Sequence, residues 1–389
     1  MQRGTFQLMK SVNKSLVLNK IRTFEPISRA QIAKETKLTP PTVSSIVKEL
    51  IEEGLVIEKE LGASQGGRKP TLLYVNSSAF YVIGVDAGSE TIRCILSNLS
   101  GEILEQSSAI IQKPITNQAF MTMLKDGIHN VLQASSVEDD KIIGIGVAMH
   151  GVVEVETGIA LFAPNLELKN IQIKAELEEA FNLNVKVEND GRAMALGESW
   201  FGGHANVESM VAVNLGRGVG AGIVINGKLY HGAQDIAGEL GHMIIDLHGE
   251  RCTCGNRGCL QTFATGSAIV AYAHKKIKGA SQDADTAETI YERAIAGEQE
   301  YIEVFQEIAE IIGIGLTNLI HILNPDKIIL GGGVMNSREI MLPVIKQTIH
   351  QRALTGKAKE TQVEATNLYD NATVLGAISL LLIELFNPV

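Results

Sequence analysis

The chain has 389 residues, with 34 Lys and Arg against 44 Asp and Glu for a net charge of −10, and 45% of it is hydrophobic. That is length and apolar content for two or three domains with a substantial core, and it excludes a fibrous, disordered or disulfide-dense secreted protein. No apolar run reaches the length of a membrane span and Met1–Lys10 lacks the apolar core of a signal peptide, so a cytoplasmic protein with no membrane partner is expected.

The charge is unevenly placed. Residues 1–75 hold twelve Lys and Arg against seven Glu and no Asp, a net +5, while the remainder holds twenty-two against thirty-seven, a net −15. A basic segment joined to an acidic body points to a polyanion-binding head on a domain with a different task.

Three helices are predicted in the head. The first carries Val17, Ile21 and Phe24 at spacings of four and three. The second starts at Ser28, where Ser28-Arg29-Ala30-Gln31 has the capping-box pattern. The third has Thr39 as N-cap, Pro40 at its first position and Gly54 just past its end. Its apolar stripe (Val43, Ile46, Val47, Leu50 and Ile51) faces the other helices and leaves Pro41, Thr42, Ser44, Ser45 and Lys48 outward. Short hydroxyls and a lysine suit a recognition helix lying against base edges and phosphates. Leu55–Leu61 and Thr71–Val75 then read as strands around a tip containing Gly66, Gly67, Arg68 and Lys69. A glycine-rich cationic tip is a wing, with Arg68 placed for a minor groove. Each part has a plainer reading, since helix–turn–helix geometry also serves protein interaction and the tip could be a linker. Their ordered combination with positive charge favours operator DNA, read as a palindrome by the two heads of a homodimer.

After a connector at 76–80 the chain changes to alternating strand and helix patterns. Tyr81–Leu96 reads as strand, tight turn, strand, and Met210–Ile225 repeats the arrangement. Two such units about 130 residues apart predict two related α/β lobes. The first is expected over 81–190, completed by a C-terminal helix at 372–389, and the second over 191–371. A buried strand at Lys141–Ala148 leads to His150-Gly151, then to Ala163-Pro164-Asn165-Leu166 and to Val185–Asp190. Cys94, alone in an apolar run, reads as core.

The densest signal lies in the second lobe. Three of the four cysteines, Cys252, Cys254 and Cys259, fall within eight residues, interleaved with Gly255 and Gly258 and preceded by His242. Three thiolates and an imidazole fill a tetrahedral site, so one structural zinc per chain is predicted, with no open position for an activated water. The alternative is three buried thiols beside an unrelated histidine. Against it stand the glycines, which supply the tight turns that such close ligands need.

These motifs together resemble the ROK family (repressors, open reading frames and kinases). In the head the likeness rests on the wing at 66–70. In the body it rests on Glu188-Asn189-Asp190, Leu215–Gly222, Ala237–His242, Cys254–Cys259 and Gly331-Gly332-Gly333 after the strand Lys327–Leu330. It covers nearly all of residues 80–385. It implies a winged helix–turn–helix domain followed by a duplicated actin-like, sugar-kinase-like (ribonuclease H-like) two-lobed α/β body. By the same resemblance Asp190 would be the base toward a sugar hydroxyl. Asn189, Glu239, His242 and Gln261 would hold other hydroxyls, and Gly151 and Asn165 would line the same pocket. His242 would give one ring nitrogen to zinc and the other to sugar.

The phosphate side departs from the family. Its kinase pattern Asp-x-Gly-Gly-Thr-Lys stands here as Asp86-Ala87-Gly88-Ser89-Glu90-Thr91, with a carboxylate where a hydroxyl belongs and no lysine. A threonine of the second turn is Arg217, and a glutamate of the zinc segment is Gln261. Like charges about 4 Å apart repel by roughly 1 kcal/mol in water and by several times that in a drier site, which disfavours ATP. The expected function is therefore a sugar-controlled repressor rather than an enzyme. The chain as a whole looks most like the family's xylose repressors from Gram-positive bacteria, which implies D-xylose or a related monosaccharide as inducer and xylose-utilisation genes as target. Two other expectations compete: an ATP-dependent hexose kinase carrying a DNA-binding head, and a docking platform without a small-molecule ligand.

Overall fold

The head forms from the signals its sequence carries. In the computed structural model, which describes residues 3–60, 71–204, 207–277 and 286–386, it comprises α1 (Arg3–Phe24), β1 (Ile27–Ser28), α2 (Arg29–Thr36), α3 (Pro40–Glu52), β2 (Val56–Glu60) and β3 (Thr71–Val75). Ser28 and Gln31 close the capping box of α2, and the Thr39 side chain accepts from Thr42 N at the start of α3. Gly54 ends that helix at φ +75°. Val17, Ile21, Val43, Ile46, Val47 and Leu50 are buried together as the apolar periodicity requires. Phe24 differs from expectation: it is 39% exposed and lies under the Lys20 ammonium, 4.1 Å from its ring centroid. The last turn of α1 thus leaves the core and its ring covers a cation instead. Strand β1 was not foreseen, because two residues carry no periodicity. Ile27 and Ser28 pair with Leu73 and Leu72, giving the sheet order β1-β3-β2. The wing tip with Gly66, Gly67, Arg68 and Lys69 lies outside the described residues.

The connector is hydrogen-bonded on both sides. Asn76 donates through its side chain to Gly54 O (2.8 Å) and through its backbone to Leu55 O (2.9 Å). Leu99 N, beyond the second strand of the body, donates to Ser77 O (3.0 Å).

The body continues with β4 (Tyr81–Ala87), β5 (Thr91–Asn98), β6 (Ile103–Ile110), α4 (Asn117–Ala134), β7 (Ile142–Met149), β8 (Val152–Glu154), β9 (Ile159–Ala163), β10 (Leu168–Ile171), α5 (Ile173–Phe181), β11 (Val185–Asn189) and α6 (Asp190–Phe201). Then come β12 (Ser209–Leu215), β13 (Val219–Ile225), β14 (Lys228–Leu229), α7 (Gln261–Ala264), α8 (Gly266–Lys276), α9 (Ala287–Ile295), α10 (Gln299–Leu323), β15 (Lys327–Gly331), α11 (Arg338–Arg352), α12 (Gly356–Lys359), β16 (Gln362–Ala365) and α13 (Ala372–Phe386). Two five-stranded sheets run β6-β5-β4-β7-β11 and β14-β13-β12-β15-β16. Numbered within each sheet, both have the order 3-2-1-4-5, so the duplication read from the two strand–turn–strand units extends to whole sheets. The inner strands β4 and β7 are almost continuously buried, as their apolar runs demand. The outer strand β6 alternates half-buried with exposed residues.

By its contacts the chain divides into two units, Met1–Val147 with Ile171–Val187 and Ala377–Val389, and Ala148–Asn170 with Glu188–Gly376. This differs from the halves 81–190 and 191–371. Ala148–Asn170 joins the second unit because the Asn189 side chain donates to Gly151 O and Gly191 abuts β13. Helix α13 is shared. Within the second unit its start packs against α6 so closely that a Cβ on Gly376 would lie 1.7 Å from Ala193 O. Beyond Ala377 it joins the first unit, where Phe386 is fully buried and Arg22 lies 5.9 Å from its ring centroid. Among the described residues one segment, Tyr369–Phe386, is long and apolar enough to cross a membrane, but 56% of it is buried as a core helix.

Candidate functional site

Two groups of polar residues meet β13 through glycines. A Cβ on Gly191, at the start of α6, would lie 3.3 Å from Ala221 N. One on Gly238 (φ +97°) would lie 1.9 Å from Ala221 O, and one on Gly241 would lie 2.2 Å from Val219 O. No side chain fits at the last two positions, so the segment carrying Glu239 and His242 lies directly on the strand. Ala221 N donates to Gly238 O (2.8 Å) and fixes it there.

At the α6 end, Asn189 is the N-cap. Its oxygen accepts from Arg192 N (3.1 Å), and its amide donates to Gly151 O and to Asp190 Oδ1 (both 2.9 Å). Asp190 Oδ1 also accepts from Gly191 N (2.9 Å), while its other oxygen, Oδ2, lies 3.4 Å from His150 Nδ1. Gly151 has φ +102°, and a Cβ there would lie 2.2 Å from Phe162 O, so only glycine makes this turn. Asn165 sits half-buried in the short helical turn Pro164–Leu166 directly after β9. The structure therefore joins Gly151, Asn189 and Asp190 by direct bonds and adds His150, which had not been assigned a role.

A second addition is Glu188. Its carboxylate is 1% exposed, 2.6 Å from Arg192 Nε and 2.7 Å from His231 Nε2. Arg192 also donates to Asp235 O (2.6 Å), which ties α6 to the segment leading into Glu239. Burial raises the Glu188 pKa, but His231 and Arg192 outweigh it and hold the carboxyl below its ordinary value. The Glu188/Arg192 spacing of four was readable in the sequence, whereas His231 was not.

At the other end His242, Cys252, Cys254 and Cys259 bring their donor atoms within 4.8 Å of one another, a set that could hold a metal ion. His242 Nδ1 faces Cys252 Sγ at 3.7 Å, and its Nε2 is 3.8 Å from Glu239 Oε2. One ring nitrogen thus faces the sulfurs and the other a carboxylate. Gly255 (φ +95°) and Gly258 (φ +65°) make the turns between the cysteines. Burial raises the Cys252 pKa, but the Cys254 backbone N–H and the neighbouring donors bring it down to about 6. Burial and the two other thiols push Cys259 up to about 12. Gln261, expected against a sugar, donates its amide to Cys252 Sγ (3.1 Å) and Thr253 Oγ1 (3.4 Å).

The phosphate-side turns are compact. Gly88 N donates to Thr91 O (3.1 Å), and Glu90 is half-buried beside that turn. Gly216 N donates to Gly218 O (3.0 Å), leaving Arg217 exposed at the tip. In the head, Ser44, Ser45 and Lys48 are exposed on α3, and the Lys48 ammonium stands 3.6 Å from the exposed Glu52 carboxylate. Thr42 is half-buried, its hydroxyl 2.8 Å from that of Thr39.

Residues 82–384 match the ROK family and residues 11–68 match the MarR family. The chain is 35% identical to the xylose repressor of Caldicellulosiruptor bescii, across 99% of this chain and 98% of that one. It is 31% identical to the N-acetylglucosamine repressor of Shigella flexneri, across 100% and 96%. A crystal structure of a ROK family transcriptional regulator, a homolog of the E. coli MLC protein, superposes with a TM-score of 0.82 at 30% identity, covering 97% of this chain and 99% of that one.

Proposed function

The chain belongs to the ROK family and is a sugar-responsive transcriptional repressor with a MarR-type winged-helix head; on that premise we propose that D-xylose, or a monosaccharide close to it, is its inducer and that xylose-utilisation genes are its target. The observation that carries the sugar half is the pair of polar groups on β13, Asn189 with Asp190 and Glu239 with His242. A sugar needs donors and acceptors from several directions at once, because each buried hydroxyl left unpaired is costly. Likeness to a xylose repressor along the whole chain supports the choice of sugar.

Zinc suits the cysteine cluster. With bonds of about 2.3 Å, a tetrahedral zinc spaces two thiolates about 3.8 Å apart. Cys254 and Cys259 Sγ stand at 3.7 Å. Bound there, zinc would hold His242 in orientation while its other nitrogen faces the sugar side. All four positions would be filled by protein, so its contribution is to folding and not to chemistry.

The kinase reading has Asp190 in its favour, but Glu90 and Arg217 stand at the phosphate turns, and we infer a cytoplasmic repressor that transfers no phosphate. Its reading of DNA would use Thr42, Ser44, Ser45 and Lys48 in the major groove and Gly66–Lys69 as the wing, in a homodimer on a palindromic operator. A thermal-shift screen of monosaccharides tests the inducer. D-xylose should raise the melting temperature, since a ligand selective for the native state stabilises it. A rise with N-acetyl-D-glucosamine and none with D-xylose would replace the sugar.

A further inference from the structure

We propose that His150 selects the inducer by occupying the place beside Asp190 where the exocyclic hydroxymethyl group of a hexose would lie, so that the site takes a pentose. This rests on the reading of Asp190 as the residue that faces the sugar hydroxyl which a kinase would phosphorylate. A base must have that hydroxyl within hydrogen-bond reach of a carboxylate oxygen. Asp190 offers two oxygens. Oδ1 already accepts from Gly191 N and from the Asn189 amide, both at 2.9 Å. Oδ2 carries neither of these bonds, and His150 Nδ1 stands 3.4 Å from it.

The ring is held there by its surroundings. His150 follows β7, and the next residue is Gly151 at φ +102°, where an added Cβ would lie 2.2 Å from Phe162 O. The Gly151 carbonyl accepts from Asn189, so the His150 backbone is tied to the residue that precedes Asp190. The His150 side chain is 15% exposed against 24% for Asp190, which places both in a recess and not on an open surface.

D-xylopyranose is D-glucopyranose without its hydroxymethyl carbon. A pentose therefore leaves beside Asp190 a gap about one carbon and one oxygen in size. In a site without His150 that gap would hold water or favour the hexose. Here the imidazole fills it and presents a ring nitrogen to Oδ2, so Asp190 faces a protein group where a kinase presents its substrate hydroxyl. The same residue thus accounts for preference between sugars and for an Asp190 that has no hydroxyl to activate.

The test uses the full-length protein on a labelled operator fragment, titrated with D-xylose and with D-glucose. Wild type should release DNA with D-xylose at a concentration at least tenfold below that needed for D-glucose. The shortened variants His150→Ala and His150→Asn should shift that ratio toward D-glucose by at least tenfold. His150→Phe, which keeps the bulk and loses the nitrogen, should stay selective for D-xylose. Melting temperature and metal content check that each variant is folded, and either shortened variant suffices. Wild type answering D-xylose with an unchanged ratio in a folded shortened variant would sink the role of His150 and leave D-xylose standing. Wild type answering D-glucose as readily as D-xylose would sink both.

Discussion

At the scale of single residues, Asp190 and Glu188 are neighbours with opposite tasks. Asp190 is a quarter exposed, and if the sugar binds beside it, its removal should act on inducer response. Asp190 holds the Asn189 amide and faces the His150 ring, so Asp190→Ala loosens both and should weaken D-xylose binding by roughly tenfold or more. Operator affinity without sugar should stay as in wild type, which operator titration checks directly. Release at the wild-type sugar concentration would remove Asp190 from the site. Glu188 is buried between Arg192 and His231, and its removal should act on stability. Glu188→Ala leaves a buried guanidinium uncompensated and should cost about 3–5 kcal/mol in a denaturant melt. Because the folded-state pKa of Glu188 is depressed, its contribution is present above the unfolded value of about 4.3 and is lost as pH falls through the folded value.

At the scale of elements, three short segments each give a prediction of their own. The segment Gly238–His242 touches β13 with no room for a side chain. Gly238→Val should therefore destabilise the protein by more than about 2 kcal/mol and blunt the sugar response together, since Glu239 and His242 move with the backbone. The loop Cys252–Cys259 should hold about one zinc per chain in elemental analysis of protein never exposed to chelator. Cys254→Ser should lose both metal and inducer response; metal-free wild-type protein of full activity would contradict this. Helix α3 should bring Lys48 to a phosphate. If so, Lys48→Ala weakens operator binding and makes the log–log salt slope shallower by about one. These elements were legible to different degrees. Thr39-Pro40 and Gly54 mark α3 because caps act over one turn. The clustering of His242 with the three cysteines was legible because close spacing in the chain brings their donor atoms together. Strand β1 was not, since Ile27 and Ser28 are a strand only by pairing with Leu72 and Leu73. Nor was the Glu188–His231 contact, which joins residues 43 apart with no pattern between them. His150 was visible only as the neighbour of a glycine, because its contact with Asp190 joins residues 40 apart.

At the scale of the whole molecule, one chain joins a MarR-type head to a duplicated ROK body with Glu90 and Arg217 at its two glycine turns. A ligand shifts such a molecule only as far as its affinities for the two arrangements differ. If D-xylose releases DNA, it must bind the DNA-free form more tightly. The connector supplies a direct tether, for Asn76 is bonded to the head at Gly54 and Leu55, and Ser77 to the body at Leu99. Glu90 and Arg217 at the two turns should leave phosphotransfer to any common monosaccharide far below the 1–100 per second of ordinary kinases, to order of magnitude; turnover in that range in a coupled ATP assay would return the chain to the enzymes. Sugar control of DNA binding is best measured by operator titration of the full-length, zinc-replete protein. Operator binding should be tight without sugar and be lost as D-xylose is added, with no ATP required. Operator affinity that stays constant across D-xylose and the other common monosaccharides would contradict it.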